Sequence, residues 1–407
     1  MSASVGFGTY RVSVHNPLHI EAIVDALDAG VRLIDTSTNY MNGDAERAVA
    51  KALKQVDDDV ASAVSVVSKF GYIQGSQLER VKSGERFDGI VEYSEQCYHC
   101  ISPEFMRDQL SLSLERLERD SIECYLLHNP EYYLLDAMNR GVEQVVMLDT
   151  MFERIYEVFV ALEQEVAAGR IKSYGISSNS FSRAQNDPEF LPYEDLVVLA
   201  RNAAKEAKSD RHHLRMIQLP INLLEQEGLK CAAWAKKNAI EVMANRPLNA
   251  QKGQLMYRLA DYDESHEYYH YLNEILEMTD NDVLRKIHNL VGQMDDVKTR
   301  FGWVGEYESF LHTQIVPHLR KAIAVLGDDE AMALAESLEL FLAEYMKMVA
   351  FECAKSTRVQ LKEELQSCEE SLQKCALNFL CREDDIDYVL VGMRKPSYVA
   401  DVMSIPL

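Results

Sequence analysis

The feature of this sequence that most constrains its fold is the repeated alternation of short apolar segments with amphipathic ones. Seven apolar segments of strand length precede residue 250 and an eighth lies near the C-terminus: Val5–Gly8, Leu33–Asp35, Ser65–Lys69, Glu123–Leu127, Ile171–Ile176, Met216–Leu219, Glu241–Ala244 and Asp387–Val391. Short apolar strands separated by helices are typical of buried parallel sheets. Eight such units predict an α/β fold, the (β/α)8 TIM barrel, whose functional residues lie at the carboxyl ends of the strands.

Helix start and stop signals lie between these strands. Asn16-Pro17 and Ser102-Pro103 each place a capping side chain before a proline at the first helical position, while Gly30 and Gly169 follow the last apolar residues of their helices. Proline suits the start of a helix and glycine its end, for steric and hydrogen-bonding reasons. These signals predict helices of ordinary length between the strands.

The stretch between strands seven and eight is too long for one crossover. A crossover needs only about a dozen residues, yet residues 251–378 contain several helical patterns, such as the run that includes Leu334 and Leu338. We therefore predict a large all-α insertion between strands 7 and 8. Residues 1–250 would form the first part of the barrel, and 379–407 would complete it with strand 8.

The charge and cysteine content narrow the classes of partner and compartment. The 65 acidic side chains exceed the 42 basic ones and give a net charge of −23, which repels nucleic acid and anionic lipid. The N-terminal residues show no export signal, and no apolar run reaches the roughly 20 residues of a membrane span. The eight cysteines follow no disulfide framework and predict reduced thiols. We expect a soluble cytoplasmic protein without a nucleic-acid or membrane partner.

Four polar side chains follow strands two, three and four. Asp35 and Tyr40 come from LIDTSTNY, Lys69 from VSVVSKFGY and His128 from ECYLLHNPE. Because these strand ends meet at one mouth of a barrel, we expect the four side chains to share a site.

This set of side chains suits carbonyl reduction. A carbonyl that accepts hydride becomes an alkoxide and needs a proton. A tyrosine has an ordinary pKa of about 10, and a neighbouring ammonium would lower it. Asp35 would keep Lys69 charged, and His128 could hold the carbonyl oxygen by a hydrogen bond.

The blocks that carry these residues resemble the aldo-keto reductase family. The resemblance extends in family order over about two thirds of the chain, through LIDTSTNY, VVSKFGY, LLHNPE, GISSNSF, MIQLPINLLEQ, MANRPLNA and GMRKPSYV. It implies that Tyr40 is the general acid in reduction and the general base in oxidation. It also implies that Lys69 and Asp35 tune Tyr40, and that His128 positions the carbonyl.

The resemblance also implies a nicotinamide cofactor. Ser178 and Asn179 after strand five and Gln218 on strand six match the family's contacts to the carboxamide. Arg394 and Lys395 after strand eight match its loop for the adenosine 2′-phosphate, and their charges favour NADPH over NADH. Where many members stack an aromatic ring on the nicotinamide, this chain has Asn245-Arg246. Arg246 would have to take over that stacking.

The expected function is reversible NADPH-dependent reduction of an aldehyde, ketone or sugar-like carbonyl. The suggestion of a sugar rests on the resemblance of LLHNPE to aldose dehydrogenases. An alternative is a regulatory or interaction protein that binds the cofactor with little turnover. The insertion would form a lid or pocket wall in the first case, whereas in the second it would mediate self-association or dock a partner.

Two further motifs have competing interpretations. His266 and His270 fit the zinc motif H-E-x-x-H, which would suit a hydrolase, but no third ligand is evident and we expect a polar helix without metal. Cys97-x-x-Cys100 could be redox-active or half of a zinc site, although incidental thiols are the simpler interpretation.

Overall fold

A computed structural model describes residues 3–278, 282–324, 328–366 and 368–405 of the chain. The chain divides into two compact units, one of residues Met1–Pro247 with Leu377–Leu407 and one of Leu248–Ala376. The strands are β1 Ser4–Gly8, β2 Leu33–Asp35, β3 Ser65–Phe70, β4 Tyr72–Ile73, β5 Val91–Ser94, β6 Cys97–His99, β7 Cys124–His128, β8 Tyr174–Ser177, β9 Leu214–Pro220, β10 Glu241–Asn245, β11 Asn249–Lys252, β12 Leu255–Arg258 and β13 Tyr388–Val391.

The helices lie between and after these strands. They are α1 Pro17–Asp28, α2 Asp44–Leu53, α3 Asp58–Ala63, α4 Gly75–Lys82, α5 Pro103–Leu117, α6 Tyr132–Asn139, α7 Gln144–Ala167, α8 Leu196–Glu206, α9 Gly228–Lys237, α10 Tyr268–Leu276, α11 Asp282–Val297, α12 Val304–Phe310, α13 Val316–Ile323, α14 Asp328–Gln360, α15 Leu372–Cys381 and α16 Pro396–Met403. Tyr40–Gly43 and Ser180–Ser182 are short 3-10 turns, and Leu311–Ile315 is a π-helical turn.

Eight of the strands close into a parallel barrel in the order β1, β2, β3, β7, β8, β9, β10 and β13. The barrel closes through β1, which pairs with β13 from Ser4↔Tyr388 to Phe7↔Val391. These are the eight segments that the sequence predicts, so the predicted (β/α)8 fold is confirmed.

The barrel interior is filled by one apolar cluster drawn from several strands. It comprises Leu33, Val67, Cys124, Leu126, Met216, Met243 and Leu390. Gly175 on β8 leaves no room for a side chain, because a Cβ there would lie 1.9 Å from the carbonyl oxygen of Met216. Close packing therefore requires a glycine in that strand.

The helix signals read from the sequence have the expected structural roles. Asn16 accepts a hydrogen bond from the Leu18 amide, and Ser102 accepts one from the Phe105 amide. Each satisfies an amide that the first helical turn leaves unpaired.

The segment after β3 contains structure that the sequence pattern did not predict. Strands β4, β6 and β5, in that spatial order, form a small antiparallel sheet. Helix α4 lies between β4 and β5 in the chain. Its strands have two to four residues, too few for a periodic pattern. This sheet contributes Tyr72 and His99 to the surroundings of His128.

The second unit has an apolar core of its own. Side chains from α10, α11, α12, α13 and α14 form it, among them the fully buried Tyr268, Tyr307, Phe341 and Tyr345. Beside these helices the unit contains one antiparallel hairpin, β11–β12, so the prediction of helix alone missed two strands. The hairpin runs through Gly253, whose φ of +62° suits a tight turn.

Two sequence interpretations change within this unit. Cys368 and Cys375 form a disulfide, contrary to the expectation that the cysteines are reduced; the six other cysteines are free thiols. Helix α10 begins at Tyr268, so His266 lies outside it and the helical pairing with His270 does not form. Within the described ranges, no group of three or more His, Cys, Asp or Glu side chains could hold a metal ion.

None of the helices in the described part of the chain is both long and apolar enough to span a membrane.

Candidate active site

The structure brings Asp35, Tyr40, Lys69 and His128 together at the carboxyl ends of β2, β3 and β7. The Lys69 ammonium lies 2.8 Å from the Asp35 carboxylate and 3.3 Å from the Tyr40 hydroxyl. The rings of Tyr40 and His128 meet edge to face with their centroids 6.1 Å apart. The predicted convergence of these four side chains is present in the structure.

An unusual backbone turn begins at Tyr40. The two residues that follow it, Met41 and Asn42, have φ values of +48° and +57°, and Gly43 has a φ of +87°. The left-handed conformation is costly for Met41 and Asn42, whereas Gly43 has no side chain to oppose it. Asn42 offsets part of this cost, since its side-chain oxygen accepts hydrogen bonds from the amide and hydroxyl of Ser76. The Tyr40 phenol is therefore held at the start of a strained turn that these hydrogen bonds stabilise.

Burial governs the ionisation of the Lys69–Asp35 pair. Both side chains are almost wholly buried. Burial raises the pKa of Asp35 and lowers that of Lys69, while their mutual attraction opposes both shifts. Lys69 also donates to the carbonyl oxygen of Thr36 at 2.7 Å, and the Gln218 amide donates to Asp35 at 2.7 Å. A buried pair with these additional hydrogen bonds is held in one geometry.

The pKa of Tyr40 differs from the sequence-based expectation that Lys69 would lower it. Burial raises the pKa of this phenol well above its ordinary value, and the negative charge of Asp35 and the neighbouring Tyr10 raise it further. The phenol therefore carries its proton throughout the neutral pH range, the state that a proton donor needs.

His128 lies among aromatic and polar neighbours. Its Nδ1 is 3.2 Å from the Ser37 hydroxyl, and the Tyr72 ring contacts it edge to face at 4.8 Å. Burial, the charge of Lys69 and the neighbouring His99 lower the pKa of His128 well below its ordinary value. The imidazole is therefore neutral, and a neutral imidazole donates through only one ring nitrogen.

Close packing also fixes the backbone beside His128. The Nε2 atom of His99 lies 2.7 Å from the carbonyl oxygen of His128. A Cβ at Gly71 would lie 2.6 Å from that same oxygen, and Gly71 has a φ of +149°. Only glycine fits this position, between β3 and the small sheet.

Gln218 is engaged within the site. Besides its bond to Asp35, its side-chain oxygen accepts from Ser177 at 3.0 Å and from Asn245 at 3.3 Å. The residue that the sequence assigns to the nicotinamide thus also links the Lys69–Asp35 pair to β8 and β10. Asn245 donates to Gln218 through its side-chain nitrogen, whereas its side-chain oxygen, Oδ1, is buried without a hydrogen-bond partner in the described structure.

Ser178 and Asn179 follow β8, and both bind a residue that sequence reasoning missed. The Ser178 hydroxyl donates to one carboxylate oxygen of Glu131 at 2.9 Å, and the Asn179 amide donates to the other at 2.8 Å. Glu131 lies three residues after His128 and is 4% exposed. The acid itself stands in the sequence LLHNPE, three residues after His128, but its partners lie nearly fifty residues away and no local pattern identifies them.

Arg246 follows β10 in a left-handed conformation with a φ of +54°. Its guanidinium donates to Glu225 at 2.9 Å, whereas its Nε is buried without a partner in the described structure. The ion pair with Glu225 holds the guanidinium within unit one. A stacking role for Arg246 therefore stays a prediction.

Arg394 and Lys395 lie directly before α16, and Lys395 is its N-terminal cap residue. Burial and, after it, the positive charge of Arg394 lower the pKa of His19 on α1. The Lys395 ammonium lies 5.7 Å from the Tyr398 ring centroid. Two cations at a helix N-terminus form a favourable environment for a phosphate.

The residues present fit a nicotinamide dinucleotide. Among the residues that the structure describes, Asn245 Oδ1 and Arg246 Nε at the end of β10 are buried polar atoms without hydrogen-bond partners, and a polar ligand would satisfy them. The hydroxyl, amide and carboxamide groups of Ser178, Asn179 and Gln218 match a carboxamide, and the Arg394-Lys395 pair matches a phosphate.

The chain is similar in sequence to known enzymes. The chain is 26% identical over 206 residues to an NADH-specific methylglyoxal reductase of Escherichia coli, covering 48% of this chain and 53% of that protein. It is 26% identical over 266 residues to an NAD(P)H-dependent D-xylose reductase of Candida tenuis, covering 60% and 68%. The chain thus spans about half to two thirds of the length of these relatives.

A solved structure shares the fold. The glycerol dehydrogenase AKR11B4 from Gluconobacter oxydans aligns over 99% of this chain and 86% of its own, with a TM-score of 0.51 and 17% identity. The model of the Aldo/keto reductase family matches residues 4–405. With the match extending over nearly its whole length, the chain belongs to the aldo/keto reductase family.

Proposed function

We propose that this protein catalyses the reversible, NADPH-dependent reduction of an aldehyde, a ketone or a sugar-like carbonyl compound. The observation that carries the proposal is the buried cluster in which the Lys69 ammonium lies 3.3 Å from the Tyr40 hydroxyl and 2.8 Å from Asp35. Such a cluster holds a phenolic proton beside a cation that can stabilise the phenolate.

Tyr40 acts as the proton donor in this mechanism. The bound cofactor supplies a hydride to the carbonyl carbon. Tyr40 transfers its phenolic proton to the carbonyl oxygen, and the phenolate that forms is stabilised by Lys69 until it regains a proton from solvent. Asp35 keeps Lys69 charged and aimed. In the oxidation direction the phenolate removes the alcohol proton instead.

His128 orients the carbonyl in this proposal. Since the imidazole is neutral, it can donate from Nε2 only in the tautomer whose Nδ1 carries no proton. Ser37 donates its hydroxyl proton to the side-chain oxygen of Asn39 at 2.7 Å, and that proton would have to turn to Nδ1, 3.2 Å away, to favour this tautomer. This tautomer directs an N–H group towards the substrate oxygen.

The cofactor contacts are assigned to residues around the barrel mouth. Ser178, Asn179 and Gln218 would hold the carboxamide, and Arg246 would cover the nicotinamide ring. Arg394 and Lys395 at the start of α16 favour a 2′-phosphate and therefore NADPH. The relative from Escherichia coli is NADH-specific, so titrations with both cofactors distinguish the two preferences.

The substrate class is supported by the aromatic surroundings of the proton donor. A continuous set of ring contacts runs from Tyr10 through Tyr40, His128 and Tyr72 to Tyr132, with neighbouring centroids 4.8–6.1 Å apart. Aromatic faces accommodate the C–H faces of sugars as well as apolar carbonyl compounds. The relatives from Escherichia coli and Candida tenuis are reductases of methylglyoxal and D-xylose, both carbonyl compounds.

The second unit has two proposed roles: it would act as a lid or pocket wall, or it would mediate self-association or dock a partner. Its independent core of buried side chains is consistent with either role. We also propose a reducing compartment such as the cytoplasm; six of the eight cysteines are free thiols, and the Cys368–Cys375 disulfide is the exception.

The test is a fluorescence titration of the purified protein with NADPH and NADH. It is followed by a panel of aldehydes, ketones and aldoses, monitored by nicotinamide absorbance. We expect binding of NADPH and turnover of at least one carbonyl class. Tyr40→Phe should retain cofactor affinity and lose turnover. Cofactor binding without turnover of any compound would favour the regulatory alternative.

A further inference from the structure

Glu131 is a buried carboxylate beside the proposed nicotinamide contacts. It directly precedes α6, three residues after His128, and is 4% exposed. Its two oxygens accept hydrogen bonds from the Ser178 hydroxyl at 2.9 Å and from the Asn179 amide at 2.8 Å. One acid therefore joins the end of β7 to the turn after β8.

The hydrogen bonding of Ser178 depends on this carboxylate. Its hydroxyl has a single proton, which it donates to Glu131, and its oxygen accepts the Ser180 amide at 3.1 Å. Towards a further ligand, the Ser178 oxygen can then act only as an acceptor. A protonated Glu131 could instead donate to Ser178, and the Ser178 proton would be released for other partners.

We infer that Glu131 is a positioning residue for the cofactor, whose carboxylate fixes Ser178 as an acceptor for the amino group of the nicotinamide carboxamide and holds the Asn179 backbone beside it. This inference rests on the proposed function, because it takes Ser178 and Asn179 as the carboxamide contacts.

The environment of Glu131 makes its charge sensitive to pH. Burial raises the pKa of Glu131 to about 7, although hydrogen bonds from Ser178, Asn179 and Ser180 oppose the shift. The ionisable groups that face it are the Tyr72 phenol on the small sheet and the Tyr132 phenol on α6; the negative charge of Glu131 raises the pKa of both. No cation is among the causes of its shift in the described structure.

The experiment measures the dissociation constant of NADPH from about pH 5.5 to about 8.5 for the wild type and for Glu131→Gln. The glutamine amide can donate to Ser178 and accept from Asn179, so it imitates the protonated acid. We expect wild-type affinity to rise with pH by roughly tenfold, the value of about one hydrogen bond. Glu131→Gln should have the weak affinity of the low-pH wild type throughout.

Matched controls separate this effect from other titrations. The cofactor phosphate titrates in both proteins, so only the difference between them reports on Glu131. Glu153→Gln makes the same change at an exposed position of α7 and should titrate like the wild type. Ser178→Ala should also weaken binding and reduce the pH dependence, which keeps the test available if Glu131→Gln fails to fold.

Two outcomes distinguish the inference from the proposed function. A protein that binds neither NADPH nor NADH at any pH would overturn the proposed function. The role of Glu131 alone would be overturned if the protein binds NADPH with the same pH dependence in the wild type and in Glu131→Gln. If Glu131→Gln does not fold, the same comparison is made with Ser178→Ala.

Discussion

The Lys69 ammonium lies 3.3 Å from the Tyr40 hydroxyl and 4.7 Å from the centre of the Tyr40 ring. The cation is thus beside the oxygen that would carry negative charge after proton transfer. Burial nevertheless raises the pKa of the phenol well above its ordinary value, so Lys69 does not ionise Tyr40 in the resting site. In the proposed mechanism, Tyr40 would donate the proton and Lys69 would then stabilise the phenolate that results.

Tyr40→Phe should reduce kcat for carbonyl reduction by roughly 10²- to 10⁴-fold, the usual contribution of a general acid. Removing the hydroxyl deletes the proton donor and leaves the ring contacts with Tyr10 and His128. The NADPH dissociation constant should stay within about twofold of the wild type. Tyr93→Phe, at an exposed ring that contacts Tyr132, is the matched control and should retain turnover. Unchanged reduction in Tyr40→Phe would exclude Tyr40 as the acid.

The two directions of the reaction should differ in their dependence on pH. Because the pKa of Tyr40 is raised, the phenol stays protonated into the alkaline range, and deprotonation of Tyr40 should not limit reduction at moderately alkaline pH. Oxidation needs the phenolate, so its kcat should increase with pH over the same range. The check is a pair of pH profiles with the Tyr40→Phe background subtracted. An alcohol oxidation that is fastest in acid would contradict this assignment.

Asp35→Asn should lower the free energy of unfolding by roughly 3 kcal/mol, because it leaves the Lys69 cation buried without its carboxylate partner. Replacing Lys69 by Met in the same protein removes that uncompensated charge and should recover part of the loss. Chemical denaturation of the wild type, the single variant and the double variant measures both steps. A double variant less stable than Asp35→Asn would show that the charge pair does not control stability at this position. The single variant should also lose turnover.

Much of this arrangement could be predicted from the sequence. The eight strand segments, the caps at Asn16 and Ser102 and the positions of Asp35, Tyr40, Lys69 and His128 follow from local patterns and from the rule that strand ends converge in a barrel. Each of these signals lies within a few residues of the position it identifies. For that reason the sequence alone could predict that these four side chains share a site.

Contacts between residues far apart in the chain could not be predicted from such local signals. The bond from Gln218 to Asp35 joins residues 183 positions apart, and Glu131 meets Ser178 across 47 positions. No period or local motif encodes such pairs. The direction of the Tyr40 pKa shift was also missed, because it depends mainly on burial, which appears only once the chain has folded. The small sheet after β3 escaped detection because its strands are too short for an alternation pattern.

Replacing both Arg394 and Lys395 by alanine should weaken binding of NADPH by roughly ten- to a hundredfold and leave NADH binding nearly unchanged. The reason is that the two cations at the start of α16 would contact only the 2′-phosphate, which NADH lacks. Parallel fluorescence titrations with the two cofactors measure the difference. Lys237→Ala, at the exposed end of α9, is the control for loss of a surface cation. Equal weakening for both cofactors would contradict the proposed phosphate contact.

Protonation of the buried His99 imidazole should lower the free energy of unfolding at acidic pH. Burial lowers its pKa from the ordinary 6.5 to about 4, so the folded protein binds fewer protons than the unfolded chain between these values. Stability is therefore lost as the pH falls through this window, by about 3 kcal/mol. His99→Gln can retain the hydrogen bond to the His128 carbonyl oxygen without titrating. Its free energy of unfolding should depend less steeply on pH than that of the wild type, and equal slopes would refute this origin.

The role of the second unit can be tested by replacing residues 259–371 with a short glycine–serine linker, which leaves β12 and α15 intact. The unit has its own core, so its removal need not expose the apolar cluster inside the barrel. If the unit is a lid or pocket wall, KM and kcat for the carbonyl should change by an order of magnitude or more, whereas the cofactor dissociation constant should change little. If it mediates self-association, sedimentation should instead show a smaller assembly with normal kinetics. Unchanged kinetics together with an unchanged assembly state would exclude both roles. Loss of cofactor binding in addition to loss of turnover would mean that folding of the barrel itself depends on the unit.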